Sequence, residues 1–493
     1  MGRHGPRVEI TLLVAWSFVA QSYAQPVSCF RCDGGVAPER ALSLPVHLER
    51  ENRLVWRREL RPGHSTPCVT SDSVYLTTFD AQGKKLATVA LDRATGAVRW
   101  TRVAPATSIE PFHPVGSPAA STPAWDGQRL MVFFGSYGML CYDRDGNLLW
   151  SKPMGPFQNE YGASSSPILV DDKVILNQDH DVDSFLLAVD RKTGRTVWKV
   201  DRPGATRSYS TPVLWHRQGK MQILVAGALN LTAYNPQDGR KLWWVRGLSR
   251  IVDTTPVVDD RFVYLATWTP GGDRSDRIAM RPFHEALQTH DQNGDGRIAQ
   301  EELSAGPVLQ RFFRIDLDQN GFLDEAEWTR HAKIFAAAQN VAMAVRLGDA
   351  AGDANRGDVT GTHIAWVHRK GLPTVPSPLV YEGVMYMVKN SGIVTSLDAA
   401  SGRLLKRGRI AGRGNYYASP VAGDGKIYFA SERGVLTVLQ AGRQWKTLAQ
   451  HNFGERIVAT PVIRAGQIFV RTDQALHCFA CAPDKVPLTR APD

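Results

Sequence analysis

Residues 91–100, LDRATGAVRW, carry the pattern that decides the fold of this chain. An aspartate opens a polar turn, a glycine ends it, and a tryptophan follows four residues after the glycine. The same arrangement recurs in residues 190–198, and similar turns precede Trp150 and Trp243. Turns of this type between short apolar runs are typical of antiparallel hairpins. The pattern therefore predicts a chain of short antiparallel strands.

A Ser-Pro or Thr-Pro pair marks the start of each repeat. Six of the seven intervals between these pairs are 41 to 56 residues long, and the fifth is 122 residues. The pairs begin at Thr66, Thr122, Ser166, Thr211, Thr255, Ser377, Ser419 and Thr460. Four strands in a period of about 45 residues form one blade of a β-propeller. The sequence predicts an all-β, eight-bladed β-propeller, in which each recurring indole packs over the neighbouring blade and its N–H finds a carbonyl.

The two ends of the chain are predicted to close the ring. The last unit, from Thr460 to about Ala480, is too short to contain an outer strand. Residues 52–57, NRLVWR, supply that strand and its tryptophan, which removes the exposed edge of the last sheet. The predicted propeller spans residues 44–269 and 341–480, followed by a C-terminal tail at 481–493.

The long fifth interval contains a predicted insertion at residues 270–340, within blade five. Residues 291–302 (loop one) and 316–327 (loop two) both match the calcium-loop pattern D-x-[DN]-x-[DN]-G-x5-E. Oxygen atoms at set positions surround the ion, and the glycine at position 6 makes the sharp turn. Ile298 and Leu323, both at position 8, are placed to pair between the loops. With its flanking helical patterns, the segment resembles a paired EF-hand domain.

The predicted calcium ligands follow from the loop positions. In loop one they are Asp291, Asn293, Asp295, Glu302 and the backbone carbonyl of Arg297. In loop two they are Asp316, Asp318, Asn320, Asp324, Glu327 and the backbone carbonyl of Phe322. Loop two offers four carboxylates, whereas loop one offers three and carries the positive charge of Arg297. Loop two is therefore predicted to bind calcium more tightly.

The N-terminus has the features of a signal peptide, predicted at residues 1–24. Arg3 and Arg7 precede an apolar stretch from Ile10 to Ala20, and Ser22-Tyr23-Ala24 has small residues at the −3 and −1 positions of a cleavage site. Cleavage near Ala24-Gln25 predicts a periplasmic or secreted protein without a transmembrane segment after cleavage. The alternative is an uncleaved N-terminal anchor.

Cysteine usage agrees with export. Four of the six cysteines form two C-x-x-C pairs, and neither pair is followed by the histidine of a c-type haem site. Disulfides are the default in an oxidising compartment, and a four-thiolate zinc site that joins the chain ends is the alternative. These four are Cys29, Cys32, Cys478 and Cys481. Cys68 and Cys141 lie in predicted strands, as buried thiols or as one bridge.

The net charge of +10 is spread along the chain without a basic run or a nucleic-acid motif. We therefore expect no nucleic-acid partner, and we interpret the charge as a basic but well-mixed surface.

With the blades, turns and tryptophans in place, residues 44–480 outside the insertion resemble the PQQ-binding-like β-propeller repeat family. That family includes quinoprotein dehydrogenases and the BamB-like propellers of outer-membrane assembly. The resemblance implies the fold strongly and an activity only weakly, because function lies in sites and not in folds. The dehydrogenases hold the quinone PQQ with calcium, an acidic base and a vicinal cysteine disulfide. This chain has no Cys-Cys pair, so no quinone ligand is transferred to its residues.

Three classes of function follow. The first is an exported, non-catalytic propeller that binds a protein or a cell-envelope component and is stabilised by calcium. The second is a PQQ-dependent dehydrogenase of unusual type. The third is a hydrolase or lyase, although no G-x-S-x-G nucleophile motif supports it.

The repeat also predicts which residues line one opening of the central channel of the propeller. Residues just before the Ser/Thr-Pro pairs share one level of the inner strands if the repeats align as proposed, and they are His64, Tyr209, Asp253 and Tyr417. A polar loop at residues 177–181 contains Asp179 and Asp181, which we expect to make turns and not to bind metal.

Overall fold

A computed structural model describes residues 30–31, 33–38, 42–49, 53–217, 219–278, 280–346 and 356–481. Within these residues the chain forms a ring of eight antiparallel sheets, so the predicted all-β, eight-bladed propeller is confirmed. The first seven blades run from the inner to the outer strand in chain order, because hairpin turns connect most strands that are adjacent in sequence, and blade eight takes its outer strand from the N-terminal end of the propeller.

Blades one to four occupy the N-terminal half. Blade one contains β2 (Cys68–Val69), β3 (Ser73–Asp80), β4 (Lys85–Asp92) and β5 (Val98–Val103). Blade two contains β6 (Ala124–Trp125), β7 (Arg129–Phe134), β8 (Gly138–Asp143) and β9 (Leu148–Pro153). Blade three contains β10 (Ile168–Val170), β11 (Lys173–Gln178), β12 (Phe185–Asp190) and β13 (Thr196–Asp201). Blade four contains β14 (Val213–Arg217), β15 (Lys220–Gly227), β16 (Asn230–Tyr234) and β17 (Lys241–Arg246).

Blade five is interrupted between its second and third strands, as predicted. Its strands are β18 (Val257–Val258), β19 (Val263–Thr267), β22 (Val341–Val345) and β24 (Ile364–His368). The segment between β19 and β22 contains β20 (Ile298–Ala299), β21 (Phe322–Leu323), α1 (Phe283–His290), α2 (Pro307–Gln310), α3 (Phe312–Ile315) and α4 (Glu325–Ala337). Short 3-10 turns lie at Arg274–Asp276 and Gln300–Glu302. Before β24, β23 (Gly357–Asp358) adds a parallel fifth strand to blade four, and α5 (Thr360–His363) follows it.

Blades six to eight complete the ring. Blade six contains β25 (Leu379–Tyr381), β26 (Val384–Lys389), β27 (Ile393–Asp398) and β28 (Leu404–Arg409), with a 3-10 turn at Asn390–Gly392. Blade seven contains β29 (Val421–Gly423), β30 (Lys426–Ala430), β31 (Val435–Gln440) and β32 (Lys446–Asn452). Blade eight contains β33 (Val462–Arg464), β34 (Gln467–Arg471), β35 (Ala475–Ala480) and, as its outer strand, β1 (Leu54–Glu59). The closure by an N-terminal strand is confirmed, because β1 pairs antiparallel with β35.

The Ser/Thr-Pro pairs form a chain of hydrogen bonds around the inner ring. The backbone N–H of the Ser or Thr in one blade donates to the side-chain hydroxyl of its counterpart in the next blade, at 2.9 to 3.2 Å. Seven of the eight blade junctions are linked in this way. At the junction of blades eight and one, the buried Arg471 donates instead to the carbonyls of Ser65 (3.0 Å) and Thr77 (2.8 Å). At seven of the eight pairs the hydroxyl therefore satisfies a buried N–H of the neighbouring blade.

Thr211→Val is expected to lower the free energy of unfolding by about 1–3 kcal/mol, because it leaves the buried N–H of Ser166 without an acceptor. Valine has almost the same shape as threonine, so the change isolates the hydroxyl. Thr66→Val is the matched control, because no backbone N–H among the described residues donates to the Thr66 hydroxyl. Urea denaturation of both variants measures the difference. Equal losses in the two variants would show that the ring of hydroxyls is not stabilising.

The recurring tryptophans pack as predicted. Trp150 of blade two donates its indole N–H to the carbonyl of Arg191 in blade three, at 3.0 Å. The same blade-to-blade hydrogen bond, at 2.8 to 3.1 Å, is made by Trp56, Trp100, Trp198 and Trp366. In blade four Trp243 differs, because its N–H donates to Gln222 of its own blade. The hydrophobic cores lie between neighbouring blades, so each indole closes the outer end of one core.

Candidate functional site

A cavity of about 400 Å³ lies where the inner ends of the blades converge. The four residues predicted to share one level, His64, Tyr209, Asp253 and Tyr417, all line this cavity. They come from four different repeats, at the position just before the Ser/Thr-Pro pair, so the regular spacing of the repeat brings them together.

The N-terminal segment closes part of this cavity. Phe30 lines the cavity, and the neighbouring Arg31 donates to the carbonyls of Pro420 (2.8 Å) and Pro378 (2.7 Å). Val36 then forms a parallel bridge with Ala422. The segment thus lies against blades six and seven and contributes an aromatic ring to the wall of the cavity.

Asp253 and Tyr209 line the cavity without a side-chain hydrogen bond among the described residues. No hydrogen bond to the Asp253 carboxylate is found among the described residues, and the buried Tyr209 hydroxyl has none either. Burial raises the pKa of Asp253 to about 7, with Arg250 opposing the shift and Glu160 adding to it. The cavity therefore presents the Asp253 carboxyl to an occupant, whereas the Tyr209 hydroxyl is buried.

Asp253→Asn is expected to raise the free energy of unfolding, relative to wild type, by more at pH 8 than at pH 5. A carboxyl whose pKa rises from 3.8 to about 7 on folding binds more protons in the folded state, so stability is lost as the pH rises between those values. We expect a change of about 1–2 kcal/mol, because solvent in the cavity screens part of the effect. Urea denaturation at the two pH values measures it. A pH-independent difference between the proteins would contradict the prediction.

The pKa of His64 shifts in the opposite direction to that of Asp253. Burial, together with the positive charges of Arg456 and Arg471, lowers the pKa of His64 to about 3. The imidazole is therefore neutral at physiological pH and is a hydrogen-bonding group, not a source of positive charge.

The polar loop at residues 177–181 does not make turns with its aspartates, so that expectation was wrong. Asp179 pairs with Arg202 at 2.6 Å, and Asp181 pairs with Arg207 at 2.5 Å, with all four side chains buried. Buried carboxylates need a cation or several donors to offset their desolvation, and the loop between β13 and β14 supplies both arginines. Neither aspartate is arranged for metal binding.

A further acidic residue beside the cavity was not anticipated from the sequence. Glu160 lines the cavity and pairs with Arg314 (2.8 Å) and Arg207 (3.4 Å). Although burial opposes the change, the hydrogen bond and the charge of Arg314 hold the pKa of Glu160 below its usual range. Arg314 belongs to α3 of the insertion and also lines the cavity. No repeat position marks Glu160, and its partner lies 154 residues away, so no local signal identifies the pair.

The insertion has the geometry predicted for its two loops at several points. Strands β20 and β21 pair antiparallel with Ile298 opposite Leu323, as predicted for position 8. Gly296 and Gly321, at position 6, have φ of +79° and +89°, the left-handed region that a tight turn requires. A compact core lies under the loops and consists of Phe283, Ala286, Ile298, Leu303, Phe312, Ile315, Leu323 and Trp328.

Carboxylates converge in loop two. One oxygen of each of Asp316, Asp318 and Glu327 lies within 4.8 Å of the others, the one such group of three among the described residues. Backbone N–H groups hold these carboxylates inward, since Gly321 donates to Asp316 (3.0 Å) and Leu317 donates to Glu327 (2.6 Å). Burial raises the pKa of Asp316 and of Glu327, and the charge of Asp318 adds to both shifts. Such a cluster favours a cation, which would relieve the repulsion.

The other predicted ligands are arranged differently. Asp324 accepts a hydrogen bond from the N–H of Glu327 (2.8 Å) and caps the N-terminus of α4, so one of its oxygens is already used. Asn320 donates its side-chain amide to Asp318 (2.9 Å). In loop one, Asp291 accepts from Gly294 (2.7 Å) and Gly296 (3.0 Å). Glu302 accepts from Gln292 and Ala299, and Asn293 donates to Asp295. These contacts hold both loops in a turn around their acidic side chains.

The structure describes only some of the residues on which the cysteine and export predictions depend. Cys68 and Cys141 lie buried in β2 and β8, and Cys141 is a free thiol, so they are not bridged to each other. Cys478 and Cys481 are not joined by a disulfide in the described part of the chain. Cys29, Cys32, the signal peptide and most of the C-terminal tail lie outside the described residues. No helix in the described ranges is long and apolar enough to span a bilayer.

Comparison with protein families finds a match to the profile described as outer membrane protein assembly factor BamB. The matched residues are 46–161, 88–267 and 333–486, well over half of the chain. The match stops at residue 267 and resumes at 333, so most of the helical insertion falls in the gap, and only the end of α4 lies beyond it. A comparison with curated proteins finds no match.

Solved structures agree on the fold. BamB from Moraxella catarrhalis has a TM-score of 0.52 at 12% identity and covers 86% of this chain and 98% of its own. The computationally designed Ika8 protein has a TM-score of 0.51 at 9% identity, covering 87% and 99%. A europium-containing methanol dehydrogenase has a TM-score of 0.49 at 12% identity, covering 89% and 95%. At such low identities, the first two structures show a shared fold and nothing about activity.

Proposed function

Because the chain belongs to the family of the outer membrane protein assembly factor BamB, we propose that it is a non-catalytic binding propeller of the cell envelope. In this proposal residues 1–24 direct export, the propeller binds a protein or another envelope component, and the insertion binds calcium through loops one and two. The rigid ring supplies the binding surface, and calcium stabilises the insertion beside the cavity.

The convergence of Asp316, Asp318 and Glu327 is the observation that carries the calcium proposal. Calcium prefers six to eight oxygen ligands, and loop two adds the Asn320 side chain and the Phe322 carbonyl to the three carboxylates. Loop one offers Asp291, Asp295 and Glu302 in the same order along the chain, together with Asn293 and the Arg297 carbonyl. We expect loop two to be the tighter site, because its three carboxylates already share one centre.

Isothermal titration calorimetry of the full exported chain with calcium chloride tests this proposal. The expected result is two binding events, with dissociation constants on the order of 10⁻⁴–10⁻³ M sufficing outside the cytosol. Magnesium at the same concentration is the control, since it demands a smaller octahedral site. A flat calcium isotherm would overturn calcium binding.

The binding role of the propeller needs a separate test. Affinity capture from the native envelope, with calcium and with chelator, is expected to retain one defined component in near-stoichiometric amount. If the component is retained only with calcium, the insertion is part of the binding surface. If it is retained with chelator as well, the propeller ring alone forms the binding surface. Dye-linked turnover by the purified protein, without any retained component, would contradict a non-catalytic role.

A quinoprotein dehydrogenase is the second candidate, favoured by the unpartnered carboxyl of Asp253 in the central cavity. The cavity residues do not fit the quinone-binding set that the resemblance implies. No cysteine lines the described cavity, and the converging carboxylates lie in loop two. Glu160 is already engaged by two arginines. Adding PQQ and calcium and recording the absorbance spectrum and dye-linked alcohol oxidation tests this candidate, and a bound chromophore with turnover would establish it.

A further inference from the structure

The insertion docks against the propeller through the segment that leads into loop two. Arg314 of α3 donates from Nη2 and Nε to Glu160 Oε1, at 2.8 and 3.1 Å. Arg314 is two residues before Asp316, the first ligand position of loop two. The same side chain lines the central cavity. One short helix therefore connects the proposed cation site to the cavity wall.

A second contact joins loop two itself to the propeller. The side-chain amide of Gln158 donates to the carbonyl of Leu317, the second residue of loop two, at 2.5 Å. Leu317 in turn donates its N–H to Glu327 Oε1, at 2.6 Å. Leu317 therefore contacts the propeller through its carbonyl, which accepts from Gln158, and a proposed calcium ligand through its N–H, which donates to Glu327.

A third contact lies under α3. Arg207 of the propeller stacks at 5.2 Å from the ring centroid of Phe313 and donates to the Phe313 carbonyl at 3.4 Å. Arg207 also pairs with Asp181 and Glu160, and its side chain is 4% exposed. Phe313 is an exposed aromatic residue, and its contact with Arg207 gives it a reason to lie on this face.

Glu160 offsets part of the positive charge of three arginines at this junction. Arg207 and Arg314 both pair with Glu160, and Arg250 adds a third guanidinium close enough to lower the pKa of Glu160. Removing the Glu160 carboxylate would leave excess positive charge next to loop two and release α3 from the propeller. Both effects disfavour a divalent cation in loop two.

We propose that cation binding in loop two and the position of Arg314 in the cavity wall are thermodynamically linked, through α3 and its contacts with Glu160 and Gln158. The inference rests on the proposed calcium binding and goes beyond it. In this proposal, calcium binding in loop two orders the end of α3 next to Asp316 and stabilises the ion pair between Arg314 and Glu160. Linkage is reciprocal. If calcium changes the affinity for a ligand that binds Glu160 or Arg314 in the cavity, that ligand changes the calcium affinity of loop two by the same factor.

Glu160→Gln is expected to weaken the tighter calcium event by about five-fold or more, the lower range of measured coupling between sites, and to leave the weaker event unchanged. Calorimetry of the full chain measures both events. Glu432→Gln is the matched control, because Glu432 pairs with Arg456 (3.0 Å) in blade seven, away from the insertion. Equal calcium affinities in Glu160→Gln and wild type would overturn the linkage. Absence of calcium binding in wild type would instead overturn the proposed function on which it rests.

Hydrogen exchange supplies a second readout if Glu160→Gln does not fold. Calcium is expected to slow amide exchange in residues 157–162 of the wild-type protein, because it tethers this segment to α3. In Arg314→Gln, calcium still binds and protects residues 157–162 less than in wild type, because only the Gln158 contact with Leu317 remains. Undiminished protection in Arg314→Gln, or no protection in calcium-loaded wild type, would overturn the linkage.

Discussion

Gly194→Ala is expected to lower the free energy of unfolding by about 3 kcal/mol. Gly194 ends the turn between β12 and β13 with φ of +70°, which costs an L-residue about 1–2 kcal/mol. A Cβ at this position would lie 2.6 Å from Cε3 of Trp150, whose indole N–H is fixed on the carbonyl of Arg191. The ring has no free direction in which to move, so overpacking adds about 1–3 kcal/mol.

Gly383→Ala separates the two contributions. Gly383 has φ of +74°, and nothing lies within 4 Å of the Cβ that would be added. The control therefore has the backbone strain without the contact with an indole, and we expect a loss of only about 1 kcal/mol. Urea denaturation of both variants gives the comparison. Equal losses would show that the packing of glycine under tryptophan does not stabilise the junction between blades.

Glu327→Gln is expected to weaken calcium binding at loop two on the order of 100-fold, about 2.7 kcal/mol. Glu327 occupies position 12, where a carboxylate binds calcium with both oxygens, and an amide has one oxygen and no charge. Its Oε1 also accepts the N–H of Leu317, at 2.6 Å. Calorimetry is expected to show the loss of the tighter event and the survival of the weaker event.

Glu325→Gln is the control for this variant. Glu325 lies two residues earlier in α4, is exposed, and is not a predicted ligand, so the substitution removes the same charge without removing a ligand. We expect little change in calcium affinity, because an exposed charge is screened by solvent. If Glu325→Gln and Glu327→Gln weakened binding equally, general charge and not coordination would account for the effect. If only the weaker event disappeared in Glu327→Gln, the ranking of the two loops would be wrong.

Much of the propeller was predictable because its determinants are local and repeated. Asp190, Gly194 and Trp198 lie within nine residues, and the turn contains its own hydrogen bonds, because Asp190 accepts the N–H groups of Lys192 and Thr193. The same holds for the position-8 pair of the insertion, where Ile298 and Leu323 meet as the loop pattern requires.

The cavity was only partly predictable. His64, Tyr209, Asp253 and Tyr417 occupy equivalent repeat positions, so alignment of the repeats places them on one level. Asp179 and Asp181 follow no repeat position, and their roles depend on Arg202 and Arg207, which both lie in the loop after β13. Composition alone therefore suggested turns where the structure has buried ion pairs.

Sequence patterns were sufficient to predict the number of blades, the strands within each blade, the closure by β1 and the two acidic loops. Each of these depends on short-range patterns that repeat or that match a fixed spacing. Three features could be learned only from the folded chain: where the insertion docks, which carboxylates of loop two converge, and that Arg314 reaches the cavity to pair with Glu160. Those contacts join residues far apart in the chain, and their strength depends on burial and on neighbouring charges, which no local pattern records.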